Sequence, residues 1–486
     1  MLNAKPINRR CVILGFGGVA TPVCHIFASR YLMLEYIIVD KRRITDEQIK
    51  IFGDKRVSRL ELNIKPEDLF QTMMYLLKDD DIVCDFFGCN ETIDILHACH
   101  LKKGIVYVNS SIEENILKPY PSQNALYRAF HEFKKKYQPK FAGCIDAGAN
   151  PGMMTHFAIL GIYSMAREAI KNKVDHYEKI QSFLDKKDFA NLAQIMKVDV
   201  IHVSEIEKLE PNDESKFEGF VTNSWSIESF HDEWFVNAEV SRGTHDIEDL
   251  SKEEYEEIPM SEPLTVKCPF PLYMKTACPT QIFTGKIVRH PETIEISKIF
   301  STNDHIPTVA FVYHPSRLPR QNLENKDWKK LPTKIMDESN GGPLKGSEAM
   351  GAALISSRQD IPPRWFGSIV SCEQERECGT NSNPTTLQVA AGIISHLLFA
   401  LEEPEKGLCM PHDFDSEKIL ELAKPYLGTV VDVSLPFRLP TKWNELMSTK
   451  EEMDTDLIIE KLGFFIIVKE LFPFYMDIKL IKYILI

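Results

Sequence analysis

Residues 11–20, Cys11-Val12-Ile13-Leu14-Gly15-Phe16-Gly17-Gly18-Val19-Ala20, run from four apolar residues straight into a glycine turn. A second apolar run, Tyr36-Ile37-Ile38-Val39, closes on Asp40. Strands buried on both faces of a parallel sheet read as unbroken apolar runs, and a glycine turn between such a strand and a helix can hold a dinucleotide pyrophosphate against helix N-terminal amides. Gly15 permits the tight turn, Gly17 lets backbone approach a phosphate, Gly18 and Val19 complete the loop, and Ala20 lets helix and strand pack closely. Asp40 can accept hydrogen bonds from the adenosine ribose hydroxyls, and its charge repels a 2′-phosphate, so the pattern favours NAD. Lys41-Arg42-Arg43, immediately after it, could instead hold the extra phosphate of NADP.

The same alternation continues to about residue 152. Expected strands at 11–15, 36–40, 82–87, 105–109 and 142–146 are separated by helical spacing at 22–32, 66–78, 91–102 and 121–136, the order of a Rossmann-type doubly wound α/β sheet. Ligands of such sheets lie at the carboxyl ends of the strands, which singles out Gly88-Cys89-Asn90, Asn109-Ser110-Ser111 with Glu113, and Gly148-Ala149-Asn150-Pro151-Gly152. The candidate cofactor contacts are therefore Gly15, Gly17, Gly18, Val19, Ala20, Asp40, Asn90, Asn109, Ser110, Asn150 and Pro151.

At 486 residues the chain exceeds one ordinary core. We expect an NAD-binding domain at 1–155, a second α+β substrate-binding and dimerisation domain at 156–382, a C-terminal region at 402–462, and an apolar tail at 463–486. Runs at 198–204, 230–240 and 287–300 read as strands of an antiparallel sheet, 318–346 as a polar loop, and 349–356 and 366–374 as further sheet. Residues 385–401 are apolar nearly all round and predict a buried helix near the nucleotide domain, started by Asn383 ahead of Pro384.

A net charge of −13, from 57 basic and 70 acidic residues without a dense basic stripe, argues against nucleic acid and for cationic ligands. Eleven cysteines lack a CxxC pair or a zinc-like His/Cys spacing, so they read as reduced thiols, and no metal is expected. Residues 1–10 lack a signal-peptide apolar segment, which with the thiols points to a cytoplasmic setting. The tail carries Lys469, Glu470, Asp477, Lys479 and Lys482, too many charges for a membrane span.

Gly148-Ala149-Asn150-Pro151-Gly152-Met153-Met154-Thr155-His156-Phe157 resembles the homospermidine synthase family, of bacterial type, within the saccharopine-dehydrogenase-like group. Four further blocks agree in order: Asn223-Ser224-Trp225-Ser226-Ile227-Glu228-Ser229-Phe230 with Glu233; Arg242-Gly243-Thr244-His245; His290-Pro291-Glu292 with Tyr313-His314-Pro315; and 383–388 followed by Pro425-Tyr426-Leu427-Gly428. The resemblance implies an NAD-dependent homodimer that joins two putrescines, or putrescine and spermidine, into homospermidine, releasing ammonia or diaminopropane. Hydride leaves an amine carbon, a second amine attacks the imine, and the same hydride returns.

It also implies roles. Trp225 offers an indole face to an ammonium or iminium, an attraction worth about 1–2 kcal/mol when desolvated. Glu113, Glu205 and Glu233 anchor ammonium groups through charge-assisted hydrogen bonds. His290 moves protons, since imidazole titrates near neutrality. Asn150 bonds substrate or the nicotinamide amide. Two departures stand out: the acid expected ahead of a Gly-containing strand falls near Ser347-Glu348, and the chain after about Trp443 fails to match. A saccharopine-type or carboxynorspermidine-type dehydrogenase is the nearest rival, but its amino-acid substrate needs an arginine clamp, for which Arg242 is the closest basic residue. A non-catalytic NAD-binding sensor is a second rival, against which Trp225, Glu233 and His290 stand.

Overall fold

The computed structural model describes residues 5–87, 91–112, 123–236, 238–249, 256–257, 265–268, 272–323, 328–448 and 453–454. Asn90, Glu113 and the tail 463–486 lie outside these residues.

The first apolar runs build a seven-stranded parallel sheet in the order Leu408–Cys409, Ala142–Cys144, Val106–Asn109, Ile82–Asp85, Lys5–Leu14, Tyr31–Asp40, Val57–Glu61. Ile82–Asp85 and Val106–Asn109 are buried at every position, as the continuous apolar runs require. Strand order reverses between Lys5–Leu14 and Ile82–Asp85, which opens a ligand crevice beyond their carboxyl ends. The edge strand Val57–Glu61 was not foreseen: its side chains are half-buried or exposed, so it carries no apolar run. Leu408–Cys409, from far along the chain, supplies the other edge.

Helices Ala20–Arg30, Pro66–Leu76, Thr92–His100 and Gln123–Tyr137 fall at the expected spacings. Pro384–Glu402 packs against Ala20–Arg30 and against Val106–Asn109 and Ala142–Cys144. The Asn383 side chain caps it, accepting the Thr386 N–H at 2.9 Å, with Pro384 in the first turn. Its length and hydropathy would suit a membrane span, but 89% of its apolar window is buried inside the fold.

All but two of the remaining described strands form a twelve-stranded mixed sheet whose central path runs Ala238–Ser241, Thr308–His314, Val198–Pro211, Leu344–Ser356, Arg364–Ser371, Thr429–Ser434. It is not wholly antiparallel, because Thr308–His314 runs parallel to Val198–Pro211. Two expected strands are partly helical. Residues 227–235 coil because Ile227, Phe230 and Trp234 recur at helical spacing and are buried, while the Asn223 side chain takes the Trp225 and Ser226 N–H groups and Ser226 takes that of Ser229. Only Ala238–Ser241 of that run is strand. Likewise Gln281–Val288 is strand, but Glu292–Phe300 is helix, opening at Pro291 with Glu292 and Glu295 in its first turn. The expected loop at 318–346 contains Thr333–Ile335, paired in parallel with Val221–Asn223, and the short helix Glu338–Gly341.

Candidate functional site

The glycine loop is built as the sequence suggests. Gly15 holds φ +86°, where a side chain is strained, and a Cβ there would come 2.7 Å from the Phe86 carbonyl oxygen. Helix Ala20–Arg30 starts without a side-chain cap; the Thr21 N–H goes to the Gly17 carbonyl at 3.2 Å and Pro22 has none, so an anion would be met by the loop amides ahead of them. Asp40 is buried at the end of its strand; one carboxylate oxygen takes the Phe16 N–H at 2.8 Å and the other the Arg42 N–H at 2.7 Å. Burial alone would raise its pKa, but the Arg42 side chain and these backbone bonds hold it below the usual range. Arg42 folds back onto Asp40, with Nε at 3.2 Å.

Across the crevice, Trp225 is half-buried, and its carbonyl oxygen would lie 2.9 Å from a Cβ placed on Gly18. The tryptophan loop therefore rests on the nucleotide loop, and only glycine fits between them. The Asn109 side chain is spent internally, accepting the Asp146 N–H at 2.8 Å and donating to the Ser111 carbonyl at 2.7 Å. It ties two strand ends together. Ser110 is half-buried beside it, and Pro151 is buried.

The mixed sheet turns an acidic face toward these strand ends. Directly opposed residues share a face, and pairing sets Lys286 opposite Tyr313, Tyr313 opposite Glu205, and Glu207 opposite Glu348. Glu205, Glu207 and Glu348 are all buried. Asn150 donates to Glu205 at 2.5 Å, and the Thr385 hydroxyl and the Ser316 N–H satisfy Glu207 at 2.9 and 3.0 Å. The Glu348 carboxyl meets that of Glu205, so the two can share a proton, and the Thr385 hydroxyl also reaches it. Burial, then repulsion from Glu207, raises Glu348 to about 8. Burial, then Glu348, Glu207 and Glu233, raises Glu205 well above the carboxylate range. Like charges this close cannot all ionise, so the face holds protons.

His290 lies at the rim of this face, its ring 4.4 Å from that of Phe311. Nδ1 contacts the Glu292 carboxylate, and Nε2 is 3.9 Å from Glu233. Burial pulls its pKa down, but Glu292, Glu233 and Asp146 together outweigh burial and leave it above the ordinary value. Asp146 is buried nearby, accepts the Ile112 N–H at 2.9 Å, and is pushed well up by burial and by Glu295.

Asn150 thus meets Glu205, Glu233 meets His290 and acts on Glu205, and the Trp225 side chain reaches Tyr313, the strand partner of Glu205, so four separate segments of the chain come together. Sequence reasoning missed Glu207, two residues from Glu205 and so on the same strand face; period two was the available signal. It also missed Glu292, inside the quoted His290-Pro291-Glu292 block, and Lys286, a lone cation in the otherwise uncharged strand Gln281–Val288. No cluster of metal-ligating residues occurs among the described residues.

The resemblance seen in the motifs extends along the chain. Residues 11–143 match the family model for the saccharopine dehydrogenase NADP binding domain. A homospermidine synthase from Blastochloris viridis is 25% identical over 461 residues, covering 88% of this chain and 91% of that protein. One from Mesorhizobium japonicum is 24% identical over 452 residues, covering 86% and 89%. In structure, the homospermidine synthase of Legionella pneumophila in complex with NAD superposes with a TM-score of 0.76 at 23% identity, covering 89% of this chain and 93% of that one.

Proposed function

We propose that this chain is an NAD-dependent homospermidine synthase, coupling two putrescines, or putrescine and spermidine, with loss of ammonia or diaminopropane. The observation that carries the reading is the buried acid face of Glu205, Glu207 and Glu348, linked through Asn150 to a strand end of a nucleotide-binding sheet. An amino-acid dehydrogenase needs cationic residues there; this face suits a diamine.

The uncapped helix start, the glycine loop and Asp40 fit a pyrophosphate and an adenosine ribose. Each Asp40 oxygen has a further lone pair beyond its backbone bond, so ribose hydroxyls can share the carboxylate once Arg42 swings out. When bound, the nicotinamide takes a hydride from an amine carbon and later returns it.

The chain's own residues do the rest. Glu205 and Glu348 exchange protons for the ammonium at one end of the diamine, so binding is also proton release. Trp225 faces the cationic carbon as the imine forms. Glu233 attracts the reacting nitrogen, and His290 takes its proton through Nε2 while Glu292 holds Nδ1. Asn150 orients the acid that it bonds. Closure of the Trp225 loop on Gly18 excludes water that would hydrolyse the imine.

We assign nucleotide binding to 1–155 and substrate binding and dimerisation to 156–382, in a homodimer. The described cysteines are free, which supports a reducing, cytoplasmic setting. The direct test is to incubate the purified protein with putrescine and NAD⁺ and analyse the amines by mass spectrometry. Homospermidine and ammonia are expected; neither product, with or without spermidine, would overturn the reading.

A further inference from the structure

Lys286 sits in a strand whose neighbouring residues on the same face are Thr284 and Val288, and it is 1% exposed. A lysine placed there only to fill space is costly, because methionine fills a similar volume without desolvating an amine. Its Nζ stands 5.2 Å from the centre of the Trp234 ring and 3.5 Å from the Ile287 carbonyl. Its strand partner is Tyr313, and Tyr313's other partner is Glu205. The lysine therefore shares a face with the acid that anchors substrate, about 10 Å away across two strand spacings. Glu233 faces it, and Glu233 in turn lies 3.9 Å from His290 Nε2.

We propose that Lys286 is a catalytic nucleophile that carries the aminobutyl group as a covalent imine between the two halves of the coupling reaction. The proposal rests on the function proposed above. Removal of hydride from putrescine to NAD⁺ leaves R–CH=NH₂⁺, where R is the aminopropyl remainder. The Lys286 amine adds to this carbon, the C–N bond to the original nitrogen breaks, and ammonia departs, giving R–CH=NH⁺–Lys286. The second diamine then adds through its own amine, the bond to Lys286 breaks, and Lys286 is released as the neutral amine. Hydride return to R–CH=NH⁺–R′ completes homospermidine, and no electrons are gained or lost overall. Protons shed at each addition pass to Glu233 and on to His290.

Three features suit this role. A nucleophilic lysine must be an amine at working pH, and burial brings Lys286 down to about 7 against the opposing pull of Glu233. An enzyme-bound imine survives only where water is excluded, and the surroundings are the buried residues Trp234, Phe230 and Tyr313. Finally, the free imine of putrescine carries an amine that can close on its own carbon. Tethering one end to Lys286 while the acid face holds the other keeps the chain extended.

The test is reductive trapping on the intact wild-type enzyme. Putrescine, NAD⁺ and cyanoborohydride are mixed with the protein, the peptide holding Lys286 is analysed by mass spectrometry, and a parallel sample receives 4-aminobutanal in place of putrescine and NAD⁺. One aminobutyl group on Lys286 in both samples is the expected result. Homospermidine formation with Lys286 unmodified in both would overturn the nucleophile and leave the function standing. Absence of homospermidine with adduct formed from the aldehyde alone would overturn the function and leave the reactive lysine. A Lys286→Arg variant is expected to reduce NAD⁺ once and then lose homospermidine release; wild-type turnover in it would refute the proposal.

Discussion

Replacing Glu348 by Gln removes one ionisable group from the acid face while keeping its shape. Glu348 is fully buried, and burial together with Glu207 moves its pKa from 4.5 to about 8. Because the folded value is the higher one, the fold keeps a proton that the unfolded chain has already lost anywhere between pH 4.5 and about 8. The stabilisation from that proton is complete below the unfolded value and is lost as pH rises through the folded one. Each unit costs up to about 1.4 kcal/mol, so the whole window is worth about 5 kcal/mol. Urea unfolding across this window should show wild-type stability falling and Glu348→Gln falling less steeply, the variant becoming the more stable protein at the alkaline end. Glu205 still titrates in both proteins but loses the neighbouring charge that helps to raise it, so the difference between the curves reports the coupled pair. Activity should move the other way. Loss of one charge-assisted hydrogen bond to an ammonium, about 1.5–3 kcal/mol, raises the KM for putrescine roughly 10- to 150-fold. Parallel stability curves with an unchanged KM would refute the reasoning.

Trp225→Ala should lower kcat/KM about 5- to 30-fold, the equivalent of about 1–2 kcal/mol of cation–π attraction, with Trp225→Phe between it and wild type. Equal activity in both variants would remove that role. Glu292→Gln takes away the largest charge holding His290 up, so burial should prevail and the His290-linked limb of the pH–rate profile should move to lower pH. The imidazolium's contribution to stability, present below its ordinary 6.5 and lost as pH rises through the folded value, should shrink in the same variant. Asp40→Ala removes the carboxylate that holds Phe16 and Arg42; fluorescence titration should find NAD weakened and the preference for NAD over NADP reduced about 10-fold, as Arg42 becomes free to meet a 2′-phosphate.

The nucleotide half was legible because each of its central strands is buried on both faces and must be apolar throughout, and because Gly15 and Asp40 are dictated by backbone and charge. Val57–Glu61 escaped because an edge strand with exposed side chains has no such signature. In the second half, residues 227–235 and 292–300 read as strand; the Asn223 and Ser226 side chains turn the first into helix, and the second opens at Pro291, whose fixed φ is already helical. Glu205, Glu233 and His290 were identified through a resemblance, since nothing local separates them from other acids and histidines. The juxtaposition of Glu207 with Glu348 and of Tyr313 with Lys286 depends on pairing between strands more than one hundred residues apart in one case, which no local pattern encodes.

The most direct measurement follows hydride through one turnover. Putrescine deuterated at both amine-bearing carbons, given to the enzyme with NAD⁺ and a pool of unlabelled NADH, should yield homospermidine that retains every deuterium, because the hydride taken from one carbon returns to it before the cofactor leaves. Homospermidine lacking one deuterium, with label appearing in free NADH, would contradict a coupling without net redox change.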